Sequence, residues 1–154
     1  MATAHPPGST PPTPEEHLAA VRLQCRWADA VDRRDWAAVL SCFADDASTD
    51  LPFTGHNDDI HNMVAASREV IDRLDLTQHH LSNHLIERAQ DGFTATCYVM
   101  AQHARSSELQ QAMFTFGGRY TDHIVRVRGS LRIQHRRLEV IWSTGDPSIL
   151  SAAS

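Results

Sequence analysis

Residues 79–105 read HHLSNHLIERAQDGFTATCYVMAQHAR, and the period of this stretch decides the fold. His79 to Glu87 and Phe93 to Arg105 are rich in residues that suit strands, and Gln90-Asp91-Gly92 between them is turn chemistry. Working toward the C-terminus, Met113 to Arg128 and Leu131 to Trp142 repeat the pattern. Arg105 to Gln110 and Arg128-Gly129-Ser130 are the expected turns. Strands of ten or more residues curl strongly or carry a bulge. Working toward the N-terminus, the period becomes helical. Thr13-Pro14-Glu15-Glu16 is a helix start, with Thr as cap, Pro at the first position and acids in the first turn. Leu18, Val21, Cys25 and Ala28 then mark a stripe that continues to Asp32. A second helix is expected from Trp36 to Phe43, opened by Asp35 and closed by Ala44 to Ala47. It is followed by an extended Ser48 to Phe53. A third helix is expected from Asp58 to Leu74. Helices first and antiparallel strands later imply an α+β fold with the helices on one face of a curved antiparallel sheet. Residues 1–12 are expected to form a disordered tail, 13–143 one domain, and 144–154 a flexible end.

The chain has 154 residues, a formal charge of −5 and 14 basic residues, all of them Arg. The absence of Lys removes Schiff-base chemistry, lysine general bases and the P-loop lysine. A mildly acidic chain is a poor partner for nucleic acid. Cys25, Cys42 and Cys97 form no CxxC pair, so neither a disulfide framework nor a zinc knuckle is expected. No apolar run approaches the ~20 residues of a membrane span, and the first residues do not resemble a secretory signal. A cytoplasmic location is the expectation. Ten His are present, seven of them from His56 to His123.

Several of the polar residues fall on faces that should be apolar. Asp32 either caps the end of its helix or points inward and needs a partner. On an unbroken strand His79, Leu81, Asn83 and Leu85 share one face, and His80, Ser82, His84 and Ile86 the other. His80 and His84 lie too far apart for one ion without a bend, so no metal site is expected. His103 shares a face with Cys97, Val99 and Ala101, as a core His or a catalytic one. Arg136 shares a face with Leu138, Val140 and Trp142, and a guanidinium there needs an anion, from the protein or from a substrate. Together, an inward Asp, one or two His and an Arg make a competent acid–base set.

The chain resembles the SnoaL-like branch of the nuclear transport factor 2 superfamily. The resemblance rests on Ala30 to Trp36 with Cys42 to Ala47, Thr77 to Glu87, Phe116-Gly117-Gly118-Arg119-Tyr120, and Gly129 to Leu138. It implies an α+β cone, a curved sheet around a deep pocket closed by about three helices. Among the enzymes of that superfamily the pattern looks most like the scytalone dehydratases, hexachlorocyclohexane dehydrochlorinases and bile acid dehydratases. By that likeness Asp32 and His79 form the base pair, Arg136 stabilises the leaving group and His103 is a second catalytic His. Trp27 stands where those enzymes have Lys or Tyr, and Tyr120 is the phenol available to replace it. The resemblance thus implies a cofactor-free lyase acting on a small hydrophobic or alicyclic substrate. Its pocket is expected to be lined by Trp27, Leu81, Val99, Phe114, Phe116, Leu138, Val140 and Trp142. The alternatives are an isomerase or polyketide cyclase with the same base, and a non-catalytic binding protein. A homotrimer or homodimer is implied, associating through the strand face that carries His80, His84, Tyr98, Met100 and Gln102.

Overall fold

The computed structural model describes residues 10–106 and 111–151. Helix α1 (Pro14–Asp32) opens at the expected Thr13 cap, and Thr13 and Glu16 each bond the other's backbone in a capping box. Helix α2 (Trp36–Ser41) is capped by Asp35. Strand β1 (Phe43–Leu51) begins earlier than expected, so the extended segment takes in Ala44 to Ala47. A short β2 (Gly55–Asn57) folds back on it, and α3 (Ile60–Ile71), capped by Asp59, follows. The long strands are β3 (Leu76–Ala89), β4 (Gly92–Ser106), β5 (Gln111–Val127) and β6 (Ser130–Gly145). Most of the Arg105–Gln110 turn lies outside the described residues, as does nearly all of the 1–12 tail.

The six strands form one curved, unclosed sheet in the order β2-β1-β6-β5-β4-β3. Four pairings are antiparallel, as expected. The fifth, β1 against β6, is parallel, which the long crossover through α3 and the strands between them permits. The sheet is therefore mixed. Near its end β6 gives way to a 3-10 turn at Pro147–Leu150. Ile149 and Leu150 are buried there, so packing reaches past residue 144.

The buried face of α1 is rotated from the expected stripe. Leu18 and Cys25 are exposed, whereas Ala20, Leu23, Gln24, Trp27 and Val31 are buried. These residues also recur at three- and four-residue spacing, and they carry the bulkier groups.

Two irregularities re-aim side chains. In β3 the register against β4 shifts between Ser82 and Leu85, with Asn83 at φ 54°. A bulge of this kind reverses the alternation. His79 and Leu81 turn inward before it, and His84 and Ile86 after it, while Leu85 is exposed. His84 therefore does not belong to the outer face. In β6 the register shifts between Val140 and Trp142, which pair with Gly118 and Gly117. Trp142 consequently lies on the outer face, against Gly117, where a Cβ would come within 2.2 Å of the indole. Gly117→Ala is expected to lift that ring off the strand. The outcome is a changed tryptophan emission and a loss of roughly 1 kcal/mol in urea unfolding.

Candidate active site

The sheet, the three helices and the 3-10 turn enclose a cavity of about 80 Å³. Val31, Val39, Met63, Ile71, Phe116 and Leu138 make its walls mostly apolar. His79, His103 and Tyr120 bring polar groups to it. Phe53 and Thr54, at the tip of the β1–β2 hairpin, and Leu150 complete the lining. The cavity is small and mostly apolar, with a few convergent polar groups.

Asp32, the last residue of α1, meets His79 at the start of β3. Its Oδ1 lies 2.7 Å from His79 Nδ1 and its Oδ2 accepts from the His79 backbone N–H at 2.8 Å. Both carboxylate oxygens thus grip one residue. An ionised carboxylate only accepts, so Nδ1 carries the proton and Nε2 keeps a free lone pair. The His79 ring stands edge-on to Trp27 at 5.7 Å and to His103 at 5.6 Å. Its side chain is almost wholly buried. Between the two readings of Asp32, the inward one with a partner is the one observed. The backbone caps of α1 are met by other residues.

His103 Nδ1 lies 3.1 Å from the Thr77 hydroxyl, across the β3–β4 pair. Burial, reinforced by nearby His79 and only partly opposed by Asp32, pulls its pKa down to about 4. His103 is therefore neutral at ordinary pH, a hydrogen-bonding group and not a cation. The unfolded chain takes up this proton near pH 6.5, the folded chain only near pH 4. Stability from this group is full above about pH 6.5 and falls as the pH drops toward 4. Between pH 7 and about pH 4.5 the loss is on the order of 2 kcal/mol. Urea unfolding at the two pH values should show it, and His103→Gln should remove most of the difference.

Arg136 does point inward, and the anion it meets is Asp122. Nε and Nη2 each lie 2.7 Å from a different carboxylate oxygen, and both side chains are fully buried. Gln24 donates to Asp122 Oδ2 at 2.9 Å, and Gln24 Oε1 lies 2.7 Å from His84 Nδ1. The Asp122 carboxylate and its hydrogen bonds outweigh burial and hold the guanidinium firmly charged. Its carbon sits 4.1 Å over the Trp27 ring and 4.4 Å over the Tyr120 ring. Arg136 does not line the cavity, so the expected direct contact with a leaving group is replaced by contact with two aromatic faces. Burial pushes the Tyr120 phenol upward, with Arg136 the largest opposing influence.

Of the other expected lining residues, Trp27, Phe116 and Leu138 line the cavity. Phe114 is buried beside it, edge-on to Phe53. Leu81 and Val140 pack half-buried against the core, and Val99 is core. Trp142 is on the outer face, for the reason given above. Sequence reasoning missed Gln24, Asp122 and Thr77. Asp122 could have been found: it shares strand parity with Phe116 and Tyr120, and it is the inward carboxylate that an inward Arg136 requires.

Among the described residues no group of three or more His, Cys, Asp or Glu could hold a metal ion. No helix there is long and apolar enough to cross a membrane.

A cone of this topology, with Asp32 bonded to His79 at the start of β3, accords with the match to a family model. Residues 13–137 match the SnoaL-like domain, and the chain belongs to that family. No curated protein matches the chain. Among solved structures, the Kfla4162 protein from Kribbella flavida superposes with a TM-score of 0.78 at 18% identity, over 90% of this chain and 98% of its own. A candidate scytalone dehydratase from Novosphingobium aromaticivorans gives 0.75 at 19%, over 84% and 87%. A type 2 hexachlorocyclohexane dehydrochlorinase gives 0.70 at 16%, over 85% and 88%. Likeness at these identities establishes the shared fold. The family and these neighbours are compatible with a cofactor-free lyase or isomerase.

Proposed function

We propose that the protein is a cofactor-free lyase that abstracts a proton from a small hydrophobic or alicyclic substrate and expels a leaving group. The observation that carries this is the Asp32–His79 pair, with both carboxylate oxygens on one residue at the wall of an apolar cavity. Nε2 of His79 takes the proton from carbon. The C–H electron pair becomes the new double bond as the neighbouring carbon loses its leaving group with that group's bonding pair. For a hydroxyl leaving group, the His79 imidazolium gives that proton to the departing oxygen to complete water, with the Tyr120 phenol and neutral His103 as hydrogen-bond donors beside it. Asp32 supports the imidazolium that forms. The dehydratase and dehydrochlorinase names of two structural neighbours favour elimination. The same base would serve an isomerase, which returns the proton instead.

The test is turnover of a panel of β-hydroxy cyclic ketones and chlorinated cyclohexanes, followed by proton NMR in D₂O. Elimination by the intact chain, lost in His79→Gln, is the expected result. Deuterium uptake at the acidic carbon without elimination would move the reading to an isomerase. Inertness toward the whole panel, with ligands still bound, would mean a binding protein. We further propose that the protein is cytoplasmic and a homotrimer or homodimer. Sedimentation of the full chain reads the last.

A further inference from the structure

The β1–β2 hairpin closes one side of the cavity with little main chain behind it. Strand β2 has three residues, lies at the edge of the sheet and pairs only with β1. Leu51, Phe53 and Thr54 of this hairpin line the cavity, and the Phe53 ring packs on those of Phe114 and Phe116 at 6.0 and 5.0 Å. A surface cleft lined by Asp50, His56 and Arg137 flanks the hairpin, and Leu51 and Leu138 line both that cleft and the cavity. Below the tip, Asp50 and His56 stand opposite each other on the two strands. His56 Nδ1 lies 2.6 Å from Asp50 Oδ1, and its Nε2 lies 2.9 Å from Asp58 Oδ1. Ionised carboxylates only accept, and a neutral imidazole carries a proton on one nitrogen alone. In the neutral ring, one of these contacts would set a lone pair against a carboxylate oxygen. Only the imidazolium satisfies both. The charged ring thus ties β1 to the segment that leads into α3. From β6, His135 Nε2 lies 3.3 Å from Asp50 Oδ2, and its Nδ1 lies 2.8 Å from the Ser48 hydroxyl. Arg137 pairs with Asp50 in the β1–β6 ladder and adds a further positive charge beside that carboxylate. Asp59, next along, is engaged with the His61 backbone N–H. Hydrogen bonds to Asp50 and Asp58 raise the pKa of His56 above the ordinary 6.5.

We propose that the His56 imidazolium latches the β1–β2 hairpin over the cavity, and that loss of its proton frees the tip and opens the cavity toward the cleft beside it. The latch holds whatever the cavity does to its ligand, so it stands apart from the lyase reading. Its sign follows from the raised pKa. The contribution of the bridged ring is complete below about pH 6.5 and is lost as the pH rises through the folded value. This is opposite in sense to His103, whose contribution is lost on acidification. The hairpin is therefore closed in mild acid and looser in mild base, while the long strands that carry His79 and His103 are untouched.

The test uses the full chain labelled with 4-fluorophenylalanine and read by fluorine NMR from about pH 6 to about pH 9, with the Phe53 line assigned by Phe53→Leu. Proton NMR of the His56 ring follows its titration in the same samples. His56 should titrate above its ordinary value, and the Phe53 line should move toward its unfolded-chain position with the same midpoint. The population of the open tip should rise roughly two- to fivefold, the scale of an exposed ion pair. His56→Gln should leave the Phe53 line flat over this range, whereas His135→Gln should keep the transition. Asp58→Asn removes one carboxylate and should bring both midpoints down together, which a merely structural contact would not do. A His56 midpoint at or below 6.5 overturns the inference. So does a Phe53 line that ignores that midpoint, in the intact chain or in Asp58→Asn. A transition that survives His56→Gln, or that vanishes in His135→Gln, overturns it as well.

Discussion

Asp32→Asn is expected to lower turnover by about 10²- to 10⁴-fold while leaving the melting temperature nearly unchanged. The carboxylate makes two contacts, one with the His79 ring and one with its backbone N–H. Asn has one acceptor and one donor group in place of two acceptors. If its oxygen keeps the backbone N–H, its NH₂ faces Nδ1, and the ring must turn its lone pair that way. The proton then sits on Nε2, where the base is needed. The variant is thus a base held in the wrong tautomer, in a fold that still has every main-chain bond. Steady-state rates with circular dichroism measure both halves. Turnover equal to the parent would remove Asp32 from the mechanism and with it the dyad.

The largest stability effect belongs to Asp122. Removing it alone, as in Asp122→Leu, leaves a guanidinium buried with no counter-charge beside Trp27 and Phe43. Breaking one side of a buried pair costs about 3–5 kcal/mol. Gln24 also loses its acceptor. Adding Arg136→Met should recover most of the loss, since a neutral, volume-matched pair carries no desolvation penalty. A double-mutant cycle in urea, with both singles and the double, reads the coupling directly. If Asp122→Leu were as stable as the parent, the pair would be far better hydrated than its burial indicates.

The order of elements and the class of fold were legible in local pattern. Period, caps and turn residues identified every long element, because these signals act between neighbours in sequence. Asp32 and His79 meet, as the resemblance implies, and His103 is buried on the face that strand parity gives it. The failures share a cause. A strand read as unbroken sends His84 outward and Trp142 inward, and each lies beyond a bulge that reverses the count. Such a bulge is a compromise between two long strands, and nothing in either strand alone reports it. The face of α1 was read from Leu18 and Cys25, although Trp27 had more area to bury. The parallel β1–β6 pair joins segments almost ninety residues apart, such as Ser48 and His135. Arg136 was known to need an anion. Strand parity on β5 points to Asp122 as that anion, and the 2.7 Å contacts establish it.

The walls of the cavity divide by origin. His79, His103 and Tyr120 sit on the long, mutually paired strands β3, β4 and β5, whereas Phe53, Thr54 and Leu150 come from a hairpin tip and a terminal turn. The chemical groups are anchored by the long β3–β4–β5 ladder, and the rim is made of turn segments outside it. On the lyase reading proposed above, exchanging the rim segments should alter which rings are admitted while the Asp32–His79 contact stays as it is. A scaffold so divided would take new substrates by changing a few rim residues, without rebuilding its base.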